Sequence, residues 1–222
     1  MSRYLDKLPL LAKAGASLVT AGLLAMSSSL AWAGGISATA YNKSGEAMSD
    51  VVVYAIAQDA HAAAQAKSDI STIAQDHLQF TPYVTAVRLG SEIRFPNYDK
   101  VEHHVKSFSP AKEFEIKPYE KTTPPPVLFD KTGVIVIYCL IHEWMRAYVY
   151  VVDTPYFAKT EANGQVNLDG LPPGNYEIRA WHPDMGTIKP PLQQVVKITA
   201  EGAQQVKFDF DFMPKKRKPV KN

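Results

Sequence analysis

Cysteine is almost missing from this 222-residue chain, and Cys139 is its only one. A single thiol excludes an intramolecular disulfide, a Cys-rich zinc site and an iron–sulfur cluster held by the chain's own thiolates. An excess of one charge is missing too. The 24 Lys and Arg nearly balance the 22 Asp and Glu, and a net charge of +2 makes no general case for nucleic-acid binding. After residue 33 no apolar run is long enough to cross a bilayer. What remains is an ordinary globular composition, 46% hydrophobic and 21% charged, which argues against disorder of the whole chain. The length suits one large domain or two small ones.

Residues 1–33 have the pattern of an export signal. Arg3, Lys7 and Lys13 precede the apolar stretch ASLVTAGLLAM, and small residues follow, ending Ala31-Trp32-Ala33. This predicts a secretory signal peptide cleaved after Ala33 and a periplasmic or secreted product with no transmembrane segment. An uncleaved anchor fits less well, because the apolar run falls short of the ~20 residues that span a membrane. From 34 to 212 there are sixteen basic and twenty-one acidic residues, a balance of −5. The last ten residues, MPKKRKPVKN (213–222), carry five basic residues and no acidic one. Such a tail is expected to be a solvated end, or in the alternative a docking element for an acidic partner or anionic lipid.

Between signal and tail the sequence reads as β throughout. Segments rich in Val, Ile, Tyr, Phe and Thr recur: ISATAY (36–41), VVVYAIA (51–57), YVTAVRL (83–89), EIRF (92–95), GVIVIYC (133–139), RAYVYVVD (146–153), NYEIRAW (175–181) and QQVVKITA (193–200). Gly, Pro, Asn and Asp clusters separate them, among them NKSG, FPNYD, TPPP, ANG and LPPG. Many short strands with closely spaced turns predict an all-β sandwich or barrel. The alanine-rich 58–68 is the segment best suited to a helix, or else a loose connector.

The lone cysteine has company. GVIVIYCLIHEWM puts Cys139 at the end of an apolar strand, His142 three residues on and Met145 three further, a C-x2-H-x2-M spacing. With six His and six Met in the chain, that coincidence after a given cysteine arises by chance about once in a thousand. Upstream, VEHHVKSF (101–108) reads as a strand region and supplies His103 and His104. A thiolate, two imidazoles and a thioether form the ligand set of a type 1 (blue) copper site. Zinc sites draw on Cys, His and carboxylates rather than thioether, and covalent haem needs C-x-x-C-H, which is absent. Neighbouring strand residues face opposite ways, so only one of His103 and His104 can point at Cys139. The spacing leaves both open. His61 and His77 lie in polar connectors and are expected to be solvated. His182, in WHPD, is expected to hold a turn, with a second metal position or a partner contact as the lesser reading.

The stretch from about 68 to 153 resembles a cupredoxin of the plastocyanin and amicyanin kind. The likeness rests on the opening region DISTIAQDHLQFTPYVTAVRLGSEIRF, the turn after FPN, a His followed by another residue and Val, and the Cys-His-Met loop. It implies that His103, Cys139, His142 and Met145 hold one copper, with His104 in the place of the family's asparagine as an outer partner or alternative ligand. It also implies an electron route through His142 and an apolar patch made of Ile141, Trp144 and Leu140. Amicyanin-type loops carry prolines where CLIHEWM has none, so this loop is expected to be looser, or held by Trp144 packing. Glu143 puts a carboxylate beside His142. The chain is also similar to periplasmic proteins of the methylamine utilisation type, which implies a redox protein partner, a cytochrome or a dehydrogenase.

A second resemblance covers the flanks. PYFAKTEANGQVNLDGLPPGNYEIRAWH (155–182) is similar to the carboxypeptidase regulatory-like β-sandwich, 34–57 to its opening half and 195–212 to its closing strands. The expected organisation is a signal peptide (1–33), a first accessory segment (34–58), a cupredoxin domain (59–153), the rest of the accessory sandwich (154–212) and the basic tail. The expected fold class is all-β, a Greek-key cupredoxin sandwich inserted in or joined to a second, smaller β-sandwich. The expected function is an exported electron carrier rather than an enzyme. The alternatives are a copper-binding or delivery protein and a metal-free recognition module.

Overall fold

Turn residues every few positions break the apolar sequence into short strands, which in the computed structural model form five sheets. The structure describes residues 34–58, 69–200 and 202–217. The fold is all-β, as expected, and the one helical element among the described residues is a 3-10 turn at Pro183–Met185. The first strands are β1 (Gly34–Tyr41), β2 (Val52–Ala57), β3 (Ile70–Thr72), β4 (Ala74–Asp76), β5 (Gln79–Thr81), β6 (Val84–Arg88) and β7 (Ser91–Arg94). Then come β8 (His103–Ser109), β9 (Lys112–Tyr119), β10 (Val127–Phe129), β11 (Gly133–Tyr138) and β12 (Arg146–Val152). The last are β13 (Phe157–Lys159), β14 (Gln165–Leu171), β15 (Gly174–Trp181), β16 (Leu192–Ile198) and β17 (Ala203–Asp209).

Pairing divides the strands into two groups. Strands β3 to β12 form a five-stranded sheet (β6-β12-β11-β8-β9), a three-stranded sheet (β10-β7-β3) and the β4–β5 hairpin. Strands β1, β2 and β13 to β17 form a three-stranded sheet (β14-β1-β17) and a four-stranded one (β13-β2-β15-β16). Asn163-Gly164 forms a turn between β13 and β14, which pair in different sheets. Gly164 has φ +71°, and a Cβ there would meet Ala40 O at 2.7 Å, so the close approach of β1 requires glycine.

The central strands β11 and β12 of the five-stranded sheet are covered on both faces, which explains their near-continuous apolar runs. Along β12, Ala147, Val149 and Val151 enter one core with Ile135 and Ile137 of β11, Ile93, Phe95 and Phe129. The alternate residues Tyr148, Tyr150 and Val152 enter a second core with Ile36, Val53, Ile178 and Trp181. Trp181 is the largest fully buried side chain, its ring 5.1 Å from that of Tyr150 and 5.9 Å from that of Tyr148. Its indole N–H donates to Gly186 O at 2.9 Å, so its one polar atom is satisfied.

Strand direction assembles one edge of this sheet. Strand β11 ends, and β8 and β12 begin, at the same end, because β11 runs antiparallel to both with Tyr138 opposite Lys106 and Arg146. His103, Cys139 and the residue before β12, Met145, therefore meet at one strand end, while Lys112 and Lys131 mark the other.

Some sequence expectations meet a different outcome. Strand β9 was not anticipated. Its alternating charges (KEFEIKPY) hide its strand character, because it lies on the sheet edge with mostly exposed or half-buried side chains. The described part of the basic tail is anchored on the body, with Lys215, Lys216 and Arg217 still exposed. The Lys215 amide donates to Asp184 Oδ2 (2.7 Å), and the Arg217 guanidinium bonds Asp50 Oδ2 (2.8 Å) and lies 4.3 Å from the Tyr83 ring centre. The signal expected at 1–33, the segment 59–68 and the tail end 218–222 lie outside the described residues. Among the described residues, no helix is long and apolar enough to cross a membrane.

Candidate metal centre

Cys139 follows the last residue of β11 and is buried, 2% exposed. Two backbone bonds close the proline-free loop beyond it, Cys139 N–H to Met145 O (3.2 Å) and Met145 N–H to His142 O (2.9 Å). Trp144 supplies the third tether, its indole N–H donating to Leu78 O at 3.1 Å while its ring lies 5.4 Å from that of His142. These bonds do the work that loop prolines would otherwise do.

The two upstream histidines face opposite ways, as strand alternation requires. His103 is fully buried, and its Nδ1 lies 3.1 Å from His142 Nδ1 and 4.0 Å from Cys139 Sγ. His142 Nδ1 is 3.7 Å from the same sulfur. His103, Cys139 and His142 form the group of metal-capable side chains found among the described residues, with all donor atoms within 4.8 Å of one another. His104 points away, and its Nε2 meets Glu115 Oε1 at 2.9 Å. Its backbone N–H nevertheless donates to Cys139 Sγ at 3.4 Å, so it touches the sulfur through its amide. Met145 is buried in the same core, 1% exposed, at the base of the loop. Leu140, Ile141 and Trp144 are 56%, 49% and 50% exposed around the half-buried His142.

Asp99 organises this cluster from outside, and neither composition nor spacing marks it in the sequence. Its Oδ2 contacts His103 Nε2 at 2.7 Å. A carboxylate there keeps the proton on Nε2 and leaves the Nδ1 lone pair facing Cys139 and His142. The same carboxylate accepts the amides of His77 (2.8 Å) and Leu78 (3.0 Å). Those two residues have φ +52° and +54°, an uncommon pair of left-handed non-glycine residues joining β4 to β5. The bonds from Asp99 hold that turn, and the turn presents Leu78 O to Trp144. Desolvation pushes the Asp99 carboxyl upward, but the bonds from His103, Leu78 and His77 outweigh it and hold it below the usual carboxylate range. Burial, and next the nearby His103, lower the pKa of His142.

The donor atoms fit an ion. The separations of 3.1, 3.7 and 4.0 Å among the two Nδ1 atoms and Sγ are compatible with one ion bound at about 2.0–2.1 Å to imidazole nitrogen and about 2.3 Å to thiolate. A trigonal two-histidine, one-cysteine set is the in-plane arrangement of blue copper.

The other histidines do not join this group. The His77 side chain is exposed beside Asp76, as expected, and His61 lies outside the described residues. His182 is 6% exposed and caps the 3-10 turn, its Nδ1 accepting the Asp184 amide at 3.1 Å. No metal-capable group of three forms around it among the described residues, which leaves the turn role in place of the second metal position.

The molecule is thus an all-β protein with a buried Cys–His–His donor cluster at one end of a sheet. No family model and no curated protein matches the chain. Solved structures similar to part of it include a purple cupredoxin from Nitrosopumilus maritimus, 21% identical over 37% of this chain and 99% of that one, at a TM-score of 0.34. An amicyanin variant in its reduced Cu(I) form is 17% identical over 45% of this chain and 99% of that one, at a TM-score of 0.35. A copper-containing nitrite reductase from Thermus scotoductus SA-01 is 20% identical over 43% of this chain, at a TM-score of 0.37, with 25% of that chain covered.

Proposed function

We propose that this chain is an exported type 1 copper protein that carries single electrons between redox proteins, a cytochrome or a dehydrogenase being the expected partner. The observation that carries the reading is the convergence of His103 Nδ1, His142 Nδ1 and Cys139 Sγ at 3.1, 3.7 and 4.0 Å at a strand end where His103 and Cys139 are buried. His103, Cys139 and His142 would hold the copper, with buried Met145 as a further thioether ligand. Copper, when bound there, supplies exchange of one electron between its two common oxidation states. The Asp99 carboxylate keeps His103 oriented with Nδ1 free. The His104 amide, fixed by the His104–Glu115 contact, stabilises the thiolate charge on Cys139. His142 is the member of the set with an accessible edge, ringed by Leu140, Ile141 and Trp144, and is the point at which a partner exchanges the electron. The separate pairing of β3–β12 supports a cupredoxin domain inserted into a discontinuous accessory sandwich.

Burial of Cys139 and His103 favours a retained metal over an exchangeable one, and so a carrier over a delivery protein. Titrating the metal-free chain with Cu(II) while recording visible absorption and electron paramagnetic resonance tests the reading. One copper per chain with an intense thiolate charge-transfer band, lost in Cys139→Ser, is the expected result. A colourless chain that takes up only Cu(I) points to delivery, and a chain that binds no copper to a metal-free module.

A further inference from the structure

The cationic tail and the metal-capable loop line the same cleft. This cleft, of about 420 Å³, is bounded by Trp144, Glu143 and Arg146 from the loop and first residue of β12, by Tyr83 and Phe80, and by Arg217 from the tail. Each arginine is held by an aromatic ring. The Arg146 guanidinium carbon lies 5.1 Å from the centre of the Tyr138 ring, and that of Arg217 lies 4.3 Å from the Tyr83 ring. Arg217 is further fixed by Asp50, whose carboxylate also takes the Lys159 ammonium at 2.7 Å. Both arginines nevertheless stay exposed, the Arg217 side chain to 53%. Asp50 does not neutralise the segment, which also brings Lys215 and Lys216 to the molecule, while the body from 34 to 212 carries a balance of −5. Lys215 and Lys216 line a neighbouring cavity with His182 and Asp184, and the cleft itself presents Arg146 and Arg217 beside the exposed Trp144.

We propose that this cleft is a docking site for an acidic protein surface, with Arg146 and Arg217 receiving its carboxylates beside Trp144. Guanidiniums fixed on ring faces present a preset fork to a carboxylate, which suits a folded partner with discrete acidic side chains. A lipid surface is better served by a mobile basic run that can spread over many headgroups. Glu143 is the opposing charge in the cleft and limits the attraction, so it selects for strongly acidic partners. The proposal rests on the copper reading only in making the partner a redox protein.

The test uses poly-L-glutamate as the probe, titrated at low salt into the whole chain, with binding followed calorimetrically and by the Trp144 indole N–H resonance. The probe should bind, shift that resonance and weaken as salt is added. Arg146→Gln with Arg217→Gln should weaken binding roughly fivefold to tenfold, and the paired Lys substitutions should restore only part of it. Glu143→Gln should tighten it. Lys112→Gln with Lys131→Gln, which removes the same charge at the opposite end of the sheet, should leave the affinity within about twofold. Equal binding by the double Gln variant, or an unmoved Trp144 resonance, would overturn the proposal. Capture by phosphatidylserine vesicles with no response to polyglutamate would overturn it in favour of a membrane. Copper titration of the same unsubstituted chain separates the two readings. Polyglutamate binding in a chain that takes no copper defeats the copper reading alone, and copper binding without polyglutamate binding defeats docking alone.

Discussion

Two buried histidines, His103 and His182, stand at strand ends in this molecule, each a few ångströms from an aspartate, and they do different chemistry. His103 gives Nε2 to Asp99 and turns Nδ1 toward a sulfur and a second imidazole. His182 uses Nδ1 to accept the Asp184 amide and close a 3-10 turn, so that nitrogen is already engaged by its own backbone. The nearby Asp184 carboxylate, 3.9 Å from the same atom, adds no ion pair to a ring that accepts there. Burial and a neighbouring acid therefore do not make a metal site. What separates the two is where the remaining nitrogen points and what converges on it.

Substitutions can break the comparison from either side. The largest effect is expected at Trp181, which precedes His182 and anchors its turn to the core. Trp181→Ala should lower the unfolding free energy in denaturant by about 3–5 kcal/mol, while the fraction that stays folded binds copper with unchanged stoichiometry. The converse is expected at the loop. His142→Ala should weaken copper binding about 100-fold or more, yet shift the stability of the metal-free chain by less than about 1 kcal/mol, because His142 is only half buried. Parallel calorimetry and competitive copper titration would check both halves.

Asp99 joins the two behaviours and should show both in smaller measure. Asp99→Ala removes the His103 contact and strands the amides of His77 and Leu78. It should weaken copper binding about 10–100-fold and lower stability by about 1–3 kcal/mol. A variant that changed stability alone would assign Asp99 to the turn and not to His103.

The smallest effect concerns acidity at His182. Burial, chiefly, holds its pKa below the ordinary value, so the unfolded chain takes up the proton first as the pH falls. The stability it contributes is present above about pH 6.5 and is lost as the pH falls below that value. The unfolding free energy should therefore drop between pH 7.5 and 5.5, and less steeply in His182→Gln. His142, also lowered, leaves a residual slope in the metal-free chain.

How much of this was legible in the sequence depended on locality. The strands β11 and β12 could be read because a strand covered on both faces is apolar at nearly every position. The C-x2-H-x2-M spacing could be read because one seven-residue loop carries three of its members. Alternation reduced His103 and His104 to a choice of one, and the structure turns His103 inward with Val105 while His104 faces Glu115. Asp99 could not be read, because its partners lie at 77, 78 and 103 and meet only after β4, β5 and β8 have assembled. Nor could the seating of Arg217, whose contacts with Asp50 and Tyr83 span 167 and 134 positions. Edge strand β9 escaped for the opposite reason, since its outward charges mask a strand that needs little burial.

Copper-edge X-ray absorption of the loaded chain in both oxidation states bears most directly on the central claim. One sulfur and two imidazole nitrogens are expected as near neighbours of copper in the oxidised and the reduced protein, with the Cys139 sulfur contribution lost in Cys139→Ser. A shell of nitrogen and oxygen alone, or a sulfur that leaves copper on reduction, would contradict it.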